Sequence, residues 1–296
     1  MSDTASELPR PAGEADSVSV DHGSHMATLV LTPRPLPLRA LVIEIWRARG
    51  LTLALGRQEF QVRYRRARLG VLWAVGMPLL QAVVLAIIFG NIVRFKTSIP
   101  YLTYVLTGLT AFSFFSGTVA AASTAIVDAS GMASKIYFPR AVLPLIKVVS
   151  STVGLGIGVV MMTTVALLQG VRPGLEILLV IPALLLLVLL TASLSLLLSA
   201  LHVYFRDVRF VVQAALTQWF YATPVFYPVV ILPRYVRLAL QANPLVGIIE
   251  LIRVGFGAPD PGWQHSLLGT VVWVVLLCIA AAWIHRRYDR VFSDRL

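Results

Sequence analysis

The chain has 296 residues, of which 57% are hydrophobic and 13% are charged, and its formal net charge is +11. A soluble domain carries about 25% charged residues, so this composition excludes an ordinary water-soluble protein and indicates an integral membrane protein. The positive charge lies beside apolar stretches, where it orients helices and meets anionic lipid, and no nucleic-acid fold signature occurs; nucleic acid is therefore not an expected partner.

The amino-terminal residues 1–37 predict a disordered tail. They hold five of the fourteen acidic residues, together with Ser, Gly and Pro and few large apolar side chains. Within 1–37 no positively charged region is followed by an apolar stretch, so we expect no cleaved signal peptide. A transmembrane domain is predicted over 38–296. Its first part, 38–50, spaces apolar residues helically among arginines, which predicts an amphipathic interface helix with Trp46 at headgroup depth.

Six apolar stretches, each about 20 residues or longer, predict six transmembrane helices in an all-α fold. They cover about 69–93, 102–126, 142–168, 177–201, 210–232 and 266–284. The first stretch has no ionisable side chain and follows the arginine-rich segment 57–68, so it marks the point where the chain enters the membrane. Small residues at 150–158, in the third stretch, permit close contact between helices.

The distribution of Lys and Arg predicts that both termini are cytoplasmic. The segments 38–68, 127–141, 202–209 and 285–296 carry 16 of these residues, and the segments on the opposite side carry 6. Because Lys and Arg accumulate on the cytoplasmic side of membrane proteins, we expect a multi-pass protein of the plasma membrane, which is the inner membrane of a cell with two membranes.

Two short apolar patterns at helical spacing, 235–241 and 244–256, lie between the fifth and sixth stretches. Each is too short to cross a bilayer, and Asn243-Pro244 separates them. We therefore predict a re-entrant or interfacial helix pair on the outer face. Such a pair is stable at membrane depth only where protein or a water-filled cavity satisfies its backbone.

Catalytic and metal-ligating patterns are missing from the sequence of the predicted spans. They contain no acidic pair, His cluster or Ser/His/Asp set, and the single cysteine, Cys278, has no Cys or His at metal-ligand spacing. No Gly-rich loop ends in Gly-Lys-Ser/Thr, so the chain does not bind ATP through a P-loop. We expect a chain that is not an enzyme and holds no metal or cofactor; a separate subunit would bind ATP and Mg²⁺.

Two aromatic motifs each have two interpretations. The loop at 128–144 combines two cations with two aromatic residues before Pro139, which is typical either of a docking tip for a partner protein or of a membrane-interface belt. The fifth stretch combines clustered aromatic residues with Gln213 and Gln218. These side chains form either an outer-leaflet belt or a pore wall that stacks on sugars and exchanges hydrogen bonds with hydroxyl groups.

Five segments, in register between about residues 38 and 290, resemble the membrane subunit of ABC-2-type exporters. They are YRRARLGVLW (64–73) with Pro78-Leu79, IYFPR (136–140) with Leu143-Pro144, YFRDV (204–208), PVFYP (224–228), and NPL (243–245) with Ile249 and Arg253. Within that family the sequence is most similar to the branch that exports lipid-linked polysaccharides, namely O-antigen, capsule, teichoic acid or galactan.

The resemblance implies partners and site residues. The permease would pair with a second copy of itself and with two copies of a cytoplasmic ATP-binding subunit, and it would export a lipid-linked glycan through a channel between the two permeases. The implied ATPase-docking residues are Trp46, Arg47, Ser134, Lys135, Ile136, Tyr137, Phe138, Pro139 and Arg140. The implied channel-lining residues are Trp73, Gln81, Gln213, Gln218, Trp219, Tyr221, Phe226 and Tyr227. The implied outer gate comprises Asn243, Pro244, Glu250 and Arg253.

Two alternative functions stay open from the sequence. An ABC-2-type exporter of a drug or a simple lipid would share this architecture. A membrane-embedded glycosyltransferase is less favoured, because it would need acidic residues at the membrane surface for a metal and a sugar nucleotide, and the loops do not supply them.

Overall fold

The computed structural model describes residues 38–65, 70, 72–129, 140–259 and 263–288. Within them the protein is helical, without a β-strand. The helices are α1 (Leu38–Arg47), α2 (Arg49–Arg65), α3 (Leu72–Leu85), α4 (Tyr101–Ser123), α5 (Ala125–Asp128), α6 (Val142–Leu168), α7 (Val180–Tyr204), α8 (Val208–Tyr221), α9 (Arg234–Leu240), α10 (Pro244–Gly255) and α11 (Trp263–Tyr288). The predicted disordered tail, 1–37, lies outside the described residues, as does the stretch 134–139 of the predicted docking loop.

Five helical stretches are long and apolar enough to cross a membrane. They are Leu72–Ile92, Tyr101–Ser123, Val142–Leu168, Leu175–Tyr204 and Trp263–His285, with a sixth if α9 and α10 count as one bent span. The first is α3 continued by a π-helical turn, Ala86–Ile92, and the fourth is α7 preceded by a 3₁₀ turn, Leu175–Leu179. These stretches match the predicted spans one to four and six, and they confirm the all-α membrane fold.

The predicted span 210–232 is helical only in its first part. Helix α8 has 14 residues and ends at Tyr221, so it is roughly 21 Å long, shorter than a bilayer core of about 30 Å. Pro224 and Pro228 follow, and proline cannot donate the backbone hydrogen bond that continues a helix. The chain therefore passes through turns and the 3₁₀ turn Val229–Ile231 before α9 begins.

The helix pair predicted before the last span is present as α9 and α10, which are bent by 95° at the break between them. Asn243 caps α10 by accepting a hydrogen bond from the backbone N–H of Leu245, and Pro244 occupies the first turn, where its missing N–H costs nothing. Nearly all of α10 is buried by other elements. Other parts of the protein therefore cover α10, as expected for a helix that is too short to cross the bilayer.

Helix α4 is the centre of the bundle and α3 lies at its edge. Of the apolar stretch of α4, 72% is buried inside the protein, compared with 6% for the span that begins with α3. The largest fully buried side chains include Leu106, Leu109, Phe115, Leu187, Ile248 and Ile249. The chain thus leaves most side chains of one long apolar helix at least partly exposed on its own fold.

Close helix contacts occur where glycines replace side chains. A Cβ on Gly158 of α6 would lie 2.8 Å from the Cγ2 atom of Thr110 on α4, so the predicted close contact of the run 150–158 occurs at its last residue. At Gly154 and Gly156 of the same run a Cβ would meet no atom within 4 Å. A Cβ on Gly56 of α2 would lie 2.7 Å from Cγ1 of Val149. The Lys147 ammonium, also on α6, donates to Glu59 at 2.7 Å and ties α2 to α6 a second time.

Candidate functional site

The proline-broken segment 222–228 has backbone carbonyls that no helix satisfies, and side chains from other elements donate to them. We call this segment, together with Tyr101, Tyr104, Asn243 and Arg253, the outer collar. A backbone carbonyl without a hydrogen-bond donor inside the membrane costs on the order of several kcal/mol, because the polar group moves from water into hydrocarbon. The donors of the outer collar therefore allow irregular backbone to exist between α8 and α9.

Arg253 on α10 supplies the charged donor of the outer collar. Its side chain is only 4% exposed, and its Nη2 group donates to the carbonyls of Pro224 at 2.8 Å and Val225 at 2.9 Å. The Cζ atom of the same guanidinium lies 3.5 Å from the centroid of the Tyr104 ring, within cation–π distance. One buried cation thus joins α10, α4 and the broken segment.

Two tyrosines of α4 complete the contacts to the broken segment. The hydroxyl of Tyr101 donates to the carbonyl of Phe226, and the hydroxyl of Tyr104 donates to the carbonyl of Tyr227 at 3.1 Å. The hydroxyl of Tyr227 in turn donates to the carbonyl of Tyr221 at the end of α8, at 2.9 Å. The segment is therefore fixed to the central helix at two consecutive residues.

Asn243 joins the end of α8 to the start of α10. Its Oδ1 accepts from the indole N–H of Trp219 at 3.1 Å as well as from the N–H of Leu245 at 3.0 Å. Its Nδ2 donates to the Thr223 hydroxyl at 2.9 Å. Trp219, an implied channel residue, also packs edge-on against Phe115 at 5.3 Å between ring centroids, so its described contacts belong to this joint.

The four implied gate residues are adjacent but do not share one role. Glu250 and Arg253 line a cavity of 430 Å³, together with Lys96 and Arg237. We call it the outer cavity, because the predicted topology places it on the outer side. Asn243 and Pro244 lie at the cap of α10 and do not line this cavity. The cavity thus has three cationic side chains and one carboxylate on its wall, a composition that favours anionic ligands.

A second cavity of 450 Å³, the central cavity, lies between α3, α4 and α8. It brings together three of the implied channel residues, Gln81, Gln213 and Tyr221. Its remaining polar lining comes from Ser113, Ser116 and Thr217, and its aromatic lining from Phe112 and Phe220. Amides can exchange hydrogen bonds with hydroxyl groups, and aromatic rings present faces on which sugars stack, so this wall suits a polyhydroxylated ligand.

The other implied channel residues lie apart from the central cavity. Trp73 is 47% exposed on α3, and Gln218 is exposed on α8. Phe226, which belongs to the outer collar, packs on Phe89 with ring centroids 5.0 Å apart and on Tyr227 at 5.1 Å.

A third cavity of 320 Å³, the inner cavity, lies between α2, α3, α4 and α6. Sequence reasoning missed it, although the hydroxyl residues of α4 and α6 were a signal. Its hydroxyl lining is Thr110, Ser113, Thr118, Ser150 and Ser151. Among the described residues, the buried hydroxyl oxygens of Thr110, Thr118 and Ser150 have no hydrogen-bond partner, and each such group costs on the order of 1–3 kcal/mol.

The implied docking residues are described only in part. Trp46 is 64% exposed on α1 with the Arg49 guanidinium over its ring, 4.6 Å from the centroid. Arg47 is exposed, and Arg140 precedes α6.

Over the described residues, no group of three His, Cys, Asp or Glu side chains is placed to hold a metal ion.

Comparison with known proteins adds a family and relatives. Residues 50–256 match the ABC-2 type transporter family. The chain is 32% identical over 259 residues to the O-antigen export system permease protein RfbA of Myxococcus xanthus, covering 86% of this chain and 99% of that protein. It is 27% identical over 201 residues to the protein of the same name from Klebsiella pneumoniae, covering 67% of this chain and 77% of that protein.

Proposed function

Because the chain belongs to the ABC-2 type transporter family, we propose that it is the membrane subunit of an ATP-driven exporter of a lipid-linked polysaccharide. The relatives named as O-antigen export permeases support this cargo. The single structural observation that supports a polysaccharide cargo is the central cavity between α3, α4 and α8, which is lined by amide, hydroxyl and aromatic side chains. A long glycan needs such a wall, because its hydroxyl groups must keep hydrogen bonds while it crosses the bilayer.

ATP hydrolysis belongs to a separate cytoplasmic subunit. The sequence contains no Gly-rich loop ending in Gly-Lys-Ser/Thr, so this chain has no P-loop for the phosphates. We place the docking surface at α1, the start of α2 and the loop 134–140. We assign this surface to the cytoplasmic side because the segments on that side carry 16 Lys and Arg residues and the segments on the other side carry 6.

A second copy of the chain is the proposed partner within the membrane. Only 6% of the span that begins with α3 is buried within the fold, and α8 exposes Gln213, Thr217 and Gln218. Polar side chains facing lipid are costly. Pairing two copies through α3 and α8 covers these side chains and joins two central cavities into one channel.

Motion would reach the outer face through rigid helices. The ATPase moves α2, and α2 is fixed to α6 by the Gly56 contact and the Glu59–Lys147 ion pair. Helix α6 packs on α4 at Gly158, and α4 holds the outer collar through Tyr101 and Tyr104. The outer collar with α9 and α10 is thus the proposed outer gate, in which Arg253 and Asn243 are positioning residues.

ATPase stimulation tests the cargo. The permease co-purified with its ATP-binding subunit and placed in nanodiscs should hydrolyse ATP faster when a polyprenyl-linked glycan is added. Hydrophobic drugs and phospholipids serve as the comparison ligands. Stimulation by drugs or simple lipids without stimulation by the glycan would favour the alternative exporter class and contradict the proposal.

A further inference from the structure

The inner cavity contains polar groups that the fold itself leaves unused. Thr110, Thr118 and Ser150 are each at least nine-tenths buried, and their hydroxyl oxygens have no hydrogen-bond partner within the described part of the chain. All three side chains line the same cavity. Three unused hydroxyl groups around one space indicate a ligand that supplies hydrogen-bond donors and acceptors there.

A cation lines the same cavity. Arg63 of α2 is on its wall, and the side chain is 41% exposed. Its guanidinium lies 3.9 Å from a carboxylate oxygen of Glu59, but that same oxygen already accepts from Lys147 at 2.7 Å. Two cations thus share one carboxylate, which leaves net positive charge beside the hydroxyl groups and favours an anionic group on the ligand.

An apolar groove of 600 Å³ adjoins the inner cavity. It lies between α3 and α6, and Met161 lines both spaces. Thr164 is the polar residue of its walls, and the other lining side chains are apolar. Val160 is 67% exposed and faces outward from the bundle. A Cβ on Gly156 would meet no atom within 4 Å, so the groove is open along this glycine.

We propose that the inner cavity and the apolar groove together bind the phosphate-bearing end of the lipid-linked glycan within a single permease. Arg63 contacts the phosphate, the hydroxyl groups of α4 and α6 bind the first sugar, and the groove between α3 and α6 holds the polyprenyl chain. This site is separate from the channel between two copies, and its assignment rests on the proposed function.

The hydroxyl groups of the inner cavity favour a sugar over a headgroup that offers phosphate alone. Besides the three without partners, Ser113 and Ser151 line the inner cavity. A phosphate group alone can only accept hydrogen bonds, whereas a sugar both donates and accepts, as hydroxyl side chains do. A sugar therefore matches this wall better than a headgroup that carries phosphate alone.

A short path leads from the inner cavity to the channel wall. Ser113 and Gly117 of α4 line both the inner cavity and the central cavity. A Cβ on Gly117 would meet no atom within 4 Å, so the glycine leaves space beside the helix at this point. A glycan held at its lipid end in the inner cavity can therefore extend past Gly117 into the central cavity.

Photoaffinity labelling tests this site. The complete permease–ATPase complex in nanodiscs is labelled, without ATP, by a polyprenyl diphosphate monosaccharide that carries a diazirine in the isoprene unit next to the diphosphate. Mass spectrometry of peptides should place adducts on 75–79 of α3 and 153–161 of α6. Arg63→Gln should reduce these adducts about tenfold, as the loss of one charge-assisted contact predicts, and Arg63→Lys should restore part of the labelling.

Hydroxyl removal gives a second, independent readout. The triple variant Thr110→Val, Thr118→Val, Ser150→Ala keeps the side-chain volumes close to those of the wild type and should weaken labelling several-fold, about the size expected for lost neutral hydrogen bonds. Thr163→Val on α6 is the matched control, because the Thr163 hydroxyl donates to its own helix at the Val159 carbonyl and lines none of the three cavities or the groove. Its labelling should equal that of the wild type.

Three results would overturn the proposal. Adducts spread over other membrane helices, or labelling unchanged in Arg63→Gln, would exclude this site. A diazirine phosphatidylglycerol that labels the groove equally well and is not displaced by the unlabelled polyprenyl compound would identify the groove as a phospholipid site. Glycan transport measured on the same complex separates the two claims. Transport without labelling contradicts only the site, and labelling without transport contradicts only the proposed function.

Discussion

The guanidinium of Arg253 lies over the ring of Tyr104, with its Cζ atom 3.5 Å from the ring centroid. The two residues are 149 positions apart in the chain, and both donate to carbonyls of the same irregular segment between α8 and α9. A buried cation is stable here because an aromatic face and two carbonyl oxygens replace the water that it loses. This pair therefore holds the segment between α8 and α9 against α4 and α10.

Replacement of Arg253 by Gln should lower the stability of the permease. The carbonyls of Pro224 and Val225 would lose their charged donor, and each buried acceptor left unsatisfied costs about 1–3 kcal/mol. The melting temperature of the purified complex should fall by several degrees, and glycan export should decrease. Arg237→Gln is the control, because Arg237 lines the same outer cavity but is exposed on α9. Equal melting temperatures for the two variants would contradict the structural role of Arg253.

Replacement of Gly56 by Leu should separate α2 from α6. A Cβ at this position already approaches Cγ1 of Val149 to 2.7 Å, and overpacking of such a contact typically costs about 1–3 kcal/mol. We expect ATP hydrolysis to continue while export per ATP falls. Ala54→Leu is the matched control on the same helix, since Ala54 is exposed and the added side chain meets no neighbouring helix there. If both variants export at the same rate, α2 does not transmit motion through this contact.

The double variant Gln81→Leu, Gln213→Leu should reduce export. Both amides line the central cavity, and their loss removes hydrogen-bond partners from the proposed glycan path, with an expected decrease of about tenfold in transport rate. Gln264→Leu on α11 provides an exposed amide outside this cavity as the control. The amount of assembled complex should be the same for all variants. An unchanged transport rate in the double variant would exclude the central cavity from the glycan path.

The triple variant Tyr137→Ala, Phe138→Ala, Arg140→Ala should uncouple ATP hydrolysis from export. The sequence combines these aromatic and cationic residues in the loop at 128–144, which we expect to dock on the ATP-binding subunit. The docking role stays a prediction, since 137 and 138 lie outside the described residues. The measurement is the amount of glycan transported per ATP, with Arg172→Ala in the opposite loop as the control. Transport at the wild-type rate in the triple variant would show that docking occurs elsewhere.

Uninterrupted apolar stretches were predictable from the sequence. The predicted bounds 142–168 coincide with α6, because an apolar run without proline beyond its first turn leaves the helix as the only way to satisfy its backbone in lipid. The stretch 210–232 was also predicted as a span, yet α8 ends at Tyr221. Hydropathy alone could not show this early end, because the carbonyls beyond it are satisfied by Asn243, Arg253 and two tyrosines from distant parts of the chain.

The candidate site was predictable only in its residue types. Gln81 and Gln213 were identified by their polarity within apolar stretches, and the structure places both on one cavity. The hydroxyl residues of α4 and α6 were a signal for the inner cavity, but its position was not predictable, since Thr110, Thr118 and Ser150 become neighbours only when α4 packs on α6. Gly154, at which a Cβ would meet no atom within 4 Å, leaves part of this space open, and that property depends on the packed neighbours as well.

Vectorial transport by the reconstituted complex tests the central claim most directly. The permease and its ATP-binding subunit are placed in proteoliposomes that contain a polyprenyl-linked glycan, and the appearance of the glycan at the opposite membrane face is followed with a membrane-impermeant glycosidase. We predict that the glycan becomes accessible only with ATP and only when the permease is present. Accessibility that is independent of ATP, or ATP-driven movement of a simple lipid or drug in place of the glycan, would contradict the proposal that this chain exports a lipid-linked polysaccharide.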